Sequence, residues 1–230
     1  MWISYFMTAR QSLASQCQSI GWPLTTMNAR RVGRQQWAIG TATDLSPEEV
    51  VANAAIVAGN KCSWCEGGSV NLILKAAALD ALARRNLFND RQDAIRRFLE
   101  AQLTLLKVYK EELIECAAKV TDATFRNNIA EICDDPFIKE AYPRVRPEFL
   151  CSLAETITVD LRIQLLQTYM INPYYYRAGW PDLTVLGNEG ASFIEVKTTD
   201  RLHESQLRFA SEVAAPLGLR CQVIQVRPSA

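Results

Sequence analysis

The chain has 230 residues, 49% of them hydrophobic and 22% charged, and its 25 basic residues balance 25 acidic ones. That size and apolar content suit one large or two small globular domains with a substantial core, and they argue against a disordered or fibrous chain. A formal net charge of zero removes the global basicity of a tight, autonomous nucleic-acid binder and leaves a local patch as the route to phosphate.

The first seven residues, Met1 to Met7, are apolar but few and lack a basic flank, so no secretory leader is expected. No apolar run is long enough to span a bilayer. The expected location is therefore cytoplasmic. Arg30, Arg31 and Arg34, with Trp37, read either as a solvated face or as contacts to phosphate. Ser46-Pro47-Glu48-Glu49 combines a serine cap, a proline at the first helical position and a glutamate at the third, and predicts a helix over Pro47–Val57 that ends at Gly59-Asn60.

Cys62-Ser63-Trp64-Cys65 is the one closely spaced cysteine pair among seven scattered cysteines. It would serve as half a zinc site or as a redox pair, but a second such pair is missing and His203 is the only histidine. Reduced, incidental thiols are the plainer account.

Further helices are expected from about Ser69 to Arg85, from Asn89-Asp90 to Val120, and over Asp122–Cys133. The second of these would bury Ile95, Phe98, Leu99, Leu103, Leu106 and Val108 as an apolar stripe. Asp135-Pro136 breaks the pattern. Pro147–Tyr169 reads as another helix, although Thr156 to Val159 would also suit a strand. Residues 1–144 thus read as a mainly helical N-terminal region.

The pattern changes toward the C-terminus. Leu183 to Leu186 and Ser192 to Thr198 are rich in strand-formers, and Gly187-Asn188-Glu189-Gly190 between them has turn chemistry. Side chains alternate along a strand, so Glu195 and Lys197 share one face while Ile194 and Val196 take the other. A hairpin of these strands brings Asp182 beside Glu195. Two carboxylates and a backbone carbonyl, that of Val196, would hold a hard divalent cation. Asp200 is the expected cap of a helix from His203 to Leu217, and Leu219 to Val226 alternates like a closing strand. Tyr174, Tyr175, Tyr176, Arg177 and Trp180 cluster before Asp182. They would stack on splayed bases or, a little more simply, enter the core.

Three motifs carry a resemblance: Gly179-Trp180-Pro181-Asp182-Leu183, Phe193-Ile194-Glu195-Val196-Lys197, and Asp200-Arg201-Leu202 followed by Gln206. In this order and spacing the segment resembles the VRR-NUC domain, a branch of the PD-(D/E)xK nuclease superfamily. The resemblance covers roughly the last sixty residues.

It implies an α+β fold, with the helical region feeding a mixed-sheet nuclease core over 145–230. It implies Mg²⁺ or Mn²⁺ held by Asp182 and Glu195, a catalytic Lys197, and Gln206 on the flanking helix. An acid on a preceding helix is also implied. Glu155 and Glu148 are the nearest candidates and Glu112 a more distant one. DNA is the implied partner, with Arg177, Trp180, Tyr176 and Arg201 as candidate contacts. Arg177 and Gly179 precede the motif Asp as in the Fanconi-associated nuclease branch, whose accessory DNA-binding modules the chain looks too short to carry.

Two settings suit such a nuclease. One is structure-specific processing of branched or flapped DNA in repair or phage biology. The other is an antibacterial effector toxin, delivered by a secretion system and blocked by an immunity protein. A non-catalytic binding module on a nuclease fold is the alternative of a different class.

Overall fold

The computed structural model describes residues 11–88, 90–199 and 201–229. The chain opens with α1 (Leu13–Ile20), β1 (Leu24–Arg31), β2 (Trp37–Ile39), β3 (Ala42–Leu45), α2 (Pro47–Val57) and β4 (Lys61–Trp64). A helical block follows: α3 (Gly68–Arg84), α4 (Arg91–Arg96), α5 (Leu99–Leu105), α6 (Lys110–Lys119), α7 (Asp122–Asp134), α8 (Pro136–Ala141), α9 (Pro147–Thr156), α10 (Val159–Ile171) and α11 (Pro173–Arg177). The chain closes with β5 (Leu183–Gly187), β6 (Gly190–Lys197), α12 (Glu204–Phe209) and β7 (Cys221–Pro228).

The fold is α+β, as expected, and it is organised by one seven-stranded mixed sheet in the order β3-β2-β1-β7-β6-β5-β4. β1, β7 and β6 run parallel, while β5 pairs antiparallel with both β6 and β4. β1 to β4 were not expected, and they carry the sheet across the 144/145 division. Their sequences explain why. Only Ala29 is buried in β1, and β2, β3 and β4 have four residues or fewer, too short for an alternating pattern to stand out. β1 lies between β2 and β7, so its ladder with β7 substitutes for apolar patterning.

The sheet separates two apolar layers. Ile194, Val196, Ile224, Val226, Leu183 and Val185 point to the smaller layer, where they meet Val50 and Val51 of α2 and Trp37. Phe193 and Val223 point to the larger layer, built on the helical block. At its centre, α3 is buried over nearly its whole circumference, as a helix enclosed by other helices must be. The buried Lys75 of α3 donates to the carbonyls of Ile95 and Arg97, covering the orphan acceptors at the end of α4.

The expected helix over 47–57 is present, with its capping box closed between Ser46 and Glu49. The long helix expected from 90 to 120 is instead three helices. The chain is extended at Arg97 and Phe98, where the Phe98 ring packs 5.6 Å from that of Phe137. It turns again through a 3-10 segment at Lys107–Tyr109, which leaves Val108 exposed. The helix expected over 147–169 divides at Ile157-Thr158, where buried Ile157 ends α9 and the Thr158 hydroxyl caps α10. Asp135 ends α7 and caps α8 in the same step. The expected cap at Asp200 lies outside the described residues, as does the Met1–Met7 segment. Among the described residues, no helix is long and apolar enough to cross a membrane.

Candidate active site

The β5–β6 hairpin forms with Leu183 opposite Ile194 and Gly187 opposite Gly190. Asp182 sits immediately before β5, and its Oδ2 accepts the backbone N–H of Val196 at 2.8 Å. That bond places the Asp182 carboxylate at the strand that carries Glu195. Glu195 is 1% exposed. Its Oε1 accepts from Lys197 Nζ at 2.8 Å and from Gln206 Nε2 at 2.6 Å. Lys197 and Gln206 are themselves buried. Asp182, Glu195, Lys197 and Gln206 are therefore brought together as expected, with the Val196 backbone between them.

Local sequence explains the construction. Gly179 has φ +90°, and a Cβ there would lie 2.0 Å from the Ser205 carbonyl oxygen of α12. Only glycine allows the turn leading to Asp182 to approach the helix that supplies Gln206 this closely. Trp180 locks the approach. It packs against Phe193 and Phe209 with centroids 5.3 and 4.5 Å away, and its indole N–H donates to the Tyr176 carbonyl. On α12, Gln206 Oε1 accepts the His203 backbone N–H at 2.8 Å. The amide thus serves as both helix cap and carboxylate donor, and His203 takes the cap position.

Burial raises the pKa of Asp182, and the neighbouring Glu195 charge raises it further. Burial likewise raises Glu195, against the lowering effect of Lys197 and Gln206. Burial is the largest cause of both shifts, and the Lys197 charge opposes both. Glu195 Oε2 is also buried, with no hydrogen-bond partner among the described residues. A buried acceptor of this kind is costly unless something binds it. The donor set is all oxygen, which suits Mg²⁺ or Mn²⁺. Among the described residues no three Asp, Glu, His or Cys side chains form a self-sufficient cage, and Mg²⁺ usually takes one or two carboxylates and keeps several waters.

The upstream acids expected for the site lie elsewhere. Glu155 is on the surface of α9, paired with Arg126. Glu112 pairs with Arg84 and Arg85, and Glu148 is exposed. The acids whose charges act on the pair are instead Glu66 on Glu195 and Glu48 on Asp182. Glu66 stands between β4 and α3 at φ 45°, and its backbone N–H donates to the Asp182 carbonyl at 3.3 Å. The signal that would have found it is Glu66-Gly67-Gly68 at the head of α3, the most extensively buried of the described helices. Gly67 is required there because a Cβ would meet the Trp180 ring at 2.4 Å. Glu48 was placed correctly as a first-turn helix residue, with no hint of its position beside the site.

The expected DNA contacts divide. Trp180 is 3% exposed, so its ring is core rather than a stacking platform. Tyr176 is partly buried, its ring edge-on to Tyr175 at 5.1 Å. Arg177 is half exposed and pairs with the buried Glu100 at 3.1 Å. It lines a cleft of about 520 Å³ with Glu66, Arg144, Tyr174 and Gly179. Arg201 is exposed. Cys65 bonds to Ser69 at 3.0 Å, and Ser69 bonds in turn to Ser63, a local network at the start of α3.

No family profile and no curated protein matches the chain. Solved structures do. The chain superposes on paFAN1 bound to 2-nt 5′ flap DNA with a gap, with a TM-score of 0.61 over 96% of its length at 17% identity. The chain shares its fold with part of paFAN1. A second paFAN1 structure, bound to 1-nt 5′ flap DNA with a gap, gives a TM-score of 0.53 at the same identity. The chain spans 39% and 44% of these two paFAN1 chains. This likeness of fold agrees with the VRR-NUC resemblance of the C-terminal motifs.

Proposed function

We infer that this protein is a divalent-metal-dependent nuclease that hydrolyses DNA phosphodiester bonds at Asp182, Glu195 and Lys197. The observation that carries the reading is the juxtaposition of the buried Glu195 with the partly buried Asp182, one oxygen of Glu195 having no hydrogen-bond partner among the described residues. Mg²⁺ or Mn²⁺ held by Asp182, Glu195 and the Val196 carbonyl would neutralise phosphate charge and lower the pKa of a bound water.

The chain's own residues supply the rest. Gln206 fixes the Glu195 carboxylate by donating to Oε1. Lys197, bonded to the same oxygen, is placed to orient the attacking water and to offset charge that develops on the phosphate. Burial of all three side chains excludes bulk water and strengthens each of these interactions. Glu66, exposed between β4 and α3, adds a further negative charge that acts on Glu195.

The likeness to flap-bound paFAN1 supports a branched or flapped DNA substrate. Repair or phage-type processing is thereby favoured over the effector-toxin setting, in which an immunity protein would be the partner. Supercoiled plasmid and 5′ flap DNA, each incubated with Mg²⁺, Mn²⁺ or EDTA, test the activity. Cleavage with metal that is lost in Asp182→Ala supports the reading, and no cleavage of either substrate with either metal sinks it. Growth arrest on expression in bacteria, relieved by Asp182→Ala, would restore the toxin setting.

A further inference from the structure

A groove of about 750 Å³ lies beside the site, and Arg31, Arg34, Trp37, Glu48, Val196 and Arg227 are among its lining residues. It sits at the carboxyl ends of the parallel strands β1, β7 and β6, which finish at Arg31, Pro228 and Lys197. Its inner wall is continuous with the site. The Val196 N–H holds Asp182, and the Glu48 charge acts on Asp182.

The three arginines come from two distant segments of the chain and converge only through the β1–β7 pairing, with Asn28 opposite Arg227. All three are exposed. None has a carboxylate partner among the described residues, whereas Arg84, Arg91, Arg126 and Arg220 are each neutralised by an acid. Two of them are held in place by neutral acceptors. Arg31 donates to the carbonyls of Gly33 at 3.0 Å and Arg34 at 2.5 Å, and its guanidinium lies over the Trp37 ring. Arg227 donates through Nε and a terminal nitrogen to Gln225 Oε1 at 3.0 and 2.7 Å. A guanidinium has five N–H donors, so each retains donors in a fixed fork. That arrangement suits bidentate contact with phosphate. In a chain of zero net charge, these unneutralised cations form the local patch that such a partner requires.

We propose that this groove seats the phosphodiester backbone of the DNA substrate, with Arg31, Arg34 and Arg227 as its phosphate contacts. The proposal rests on the nuclease reading and adds the path by which DNA reaches the carboxylates. The contacts are sequence-independent and salt-sensitive, as phosphate contacts are.

The test is equilibrium binding of labelled 5′ flap DNA in EDTA across a salt series. Wild type is compared with Arg31→Ala/Arg34→Ala/Arg227→Ala and with the control Arg126→Ala/Arg220→Ala. The groove variant should lose roughly tenfold or more in affinity, and the slope of log K against log salt should flatten by about 0.9 for each contact removed. The control should match wild type. Unchanged melting and unchanged Mn²⁺ affinity would show that fold and site are intact. Should the triple alanine variant unfold, Arg31→Glu/Arg227→Glu gives a second reading through charge reversal. Wild-type affinity and slope in a folded groove variant, alongside cleavage by wild type, would overturn the groove and spare the nuclease. Absence of both DNA binding and cleavage in wild type would overturn both.

Discussion

Gln206 Nε2 lies 2.6 Å from Glu195 Oε1, while the other end of the same amide accepts the His203 backbone N–H. One side chain thus ties the start of α12 to the carboxylate at the centre of the site. Substitution separates the two duties. Gln206→Glu keeps a capping-box residue but replaces the donor to Glu195 with a like charge. Mn²⁺ affinity should fall by about 10- to 100-fold, the range for groups that orient a metal ligand, while helix content by circular dichroism stays near wild type. Unchanged affinity would remove Gln206 from the site.

Asp182→Asn should abolish cleavage and stabilise the metal-free protein. The asparagine can still accept the Val196 N–H, and the substitution removes one of two buried charges that repel each other. A gain of about 1 kcal/mol, or roughly 2–4 °C in Tm, is expected. Mn²⁺ should raise the Tm of wild type and leave that of the variant unmoved. A variant that melts below wild type without metal would show that the pair is not under electrostatic stress.

Gly179→Ala should destabilise the fold by about 3 kcal/mol, because it adds a positive-φ penalty to a backbone collision. The collision is with the Ser205 carbonyl, 2.0 Å from the new Cβ. Since α12 must shift to relieve it, cleavage should fall along with Tm. Thermal melting that matches wild type would contradict the close approach.

Lys75 gives a pH signature distant from the site. Burial lowers its pKa to about 7, against the raising effects of Glu100, Asp135 and Asp93. In unfolded chains lysine titrates near about 10.4, so between these values the unfolded chain holds the extra proton. Through this group stability therefore rises with pH from 7 toward 10, and below pH 7 its contribution is constant. The stability difference between wild type and Lys75→Met, measured by urea unfolding, should grow in favour of wild type across that window. A pH-independent difference would count against a buried lysine that titrates there.

Much of the site was legible because its geometry is local. Asp182, Glu195 and Lys197 lie on one hairpin, where strand alternation and turn chemistry fix who faces whom. Gln206 followed from the motif after the hairpin. Glu66 was missed because it reaches the site only through the pairing of β4 with β5, a contact between residues more than 100 positions apart. Trp180, read as either a stacking platform for bases or part of the core, is the wedge that packs against Gly67 and Phe209. Sequence alone could not decide this, since both roles call for the same ring. The helical block was legible in kind but not in its breaks, because the chain leaves the helix at Phe98 to pack against Phe137, from a different helix. β1 escaped notice because its stability comes from its ladder with β7 rather than from its own apolar pattern.

The most direct measurement is single-turnover cleavage of 5′ flap DNA by wild type, Glu195→Gln and Lys197→Met, each with Mg²⁺, Mn²⁺ or EDTA. Wild type should cleave only with metal. Each variant should fall by about 10²-fold or more, the scale for losing a group that stabilises transition-state charge, while still binding the DNA. Cleavage in EDTA, or wild-type rates in both variants, would contradict a metal-dependent site at Asp182 and Glu195.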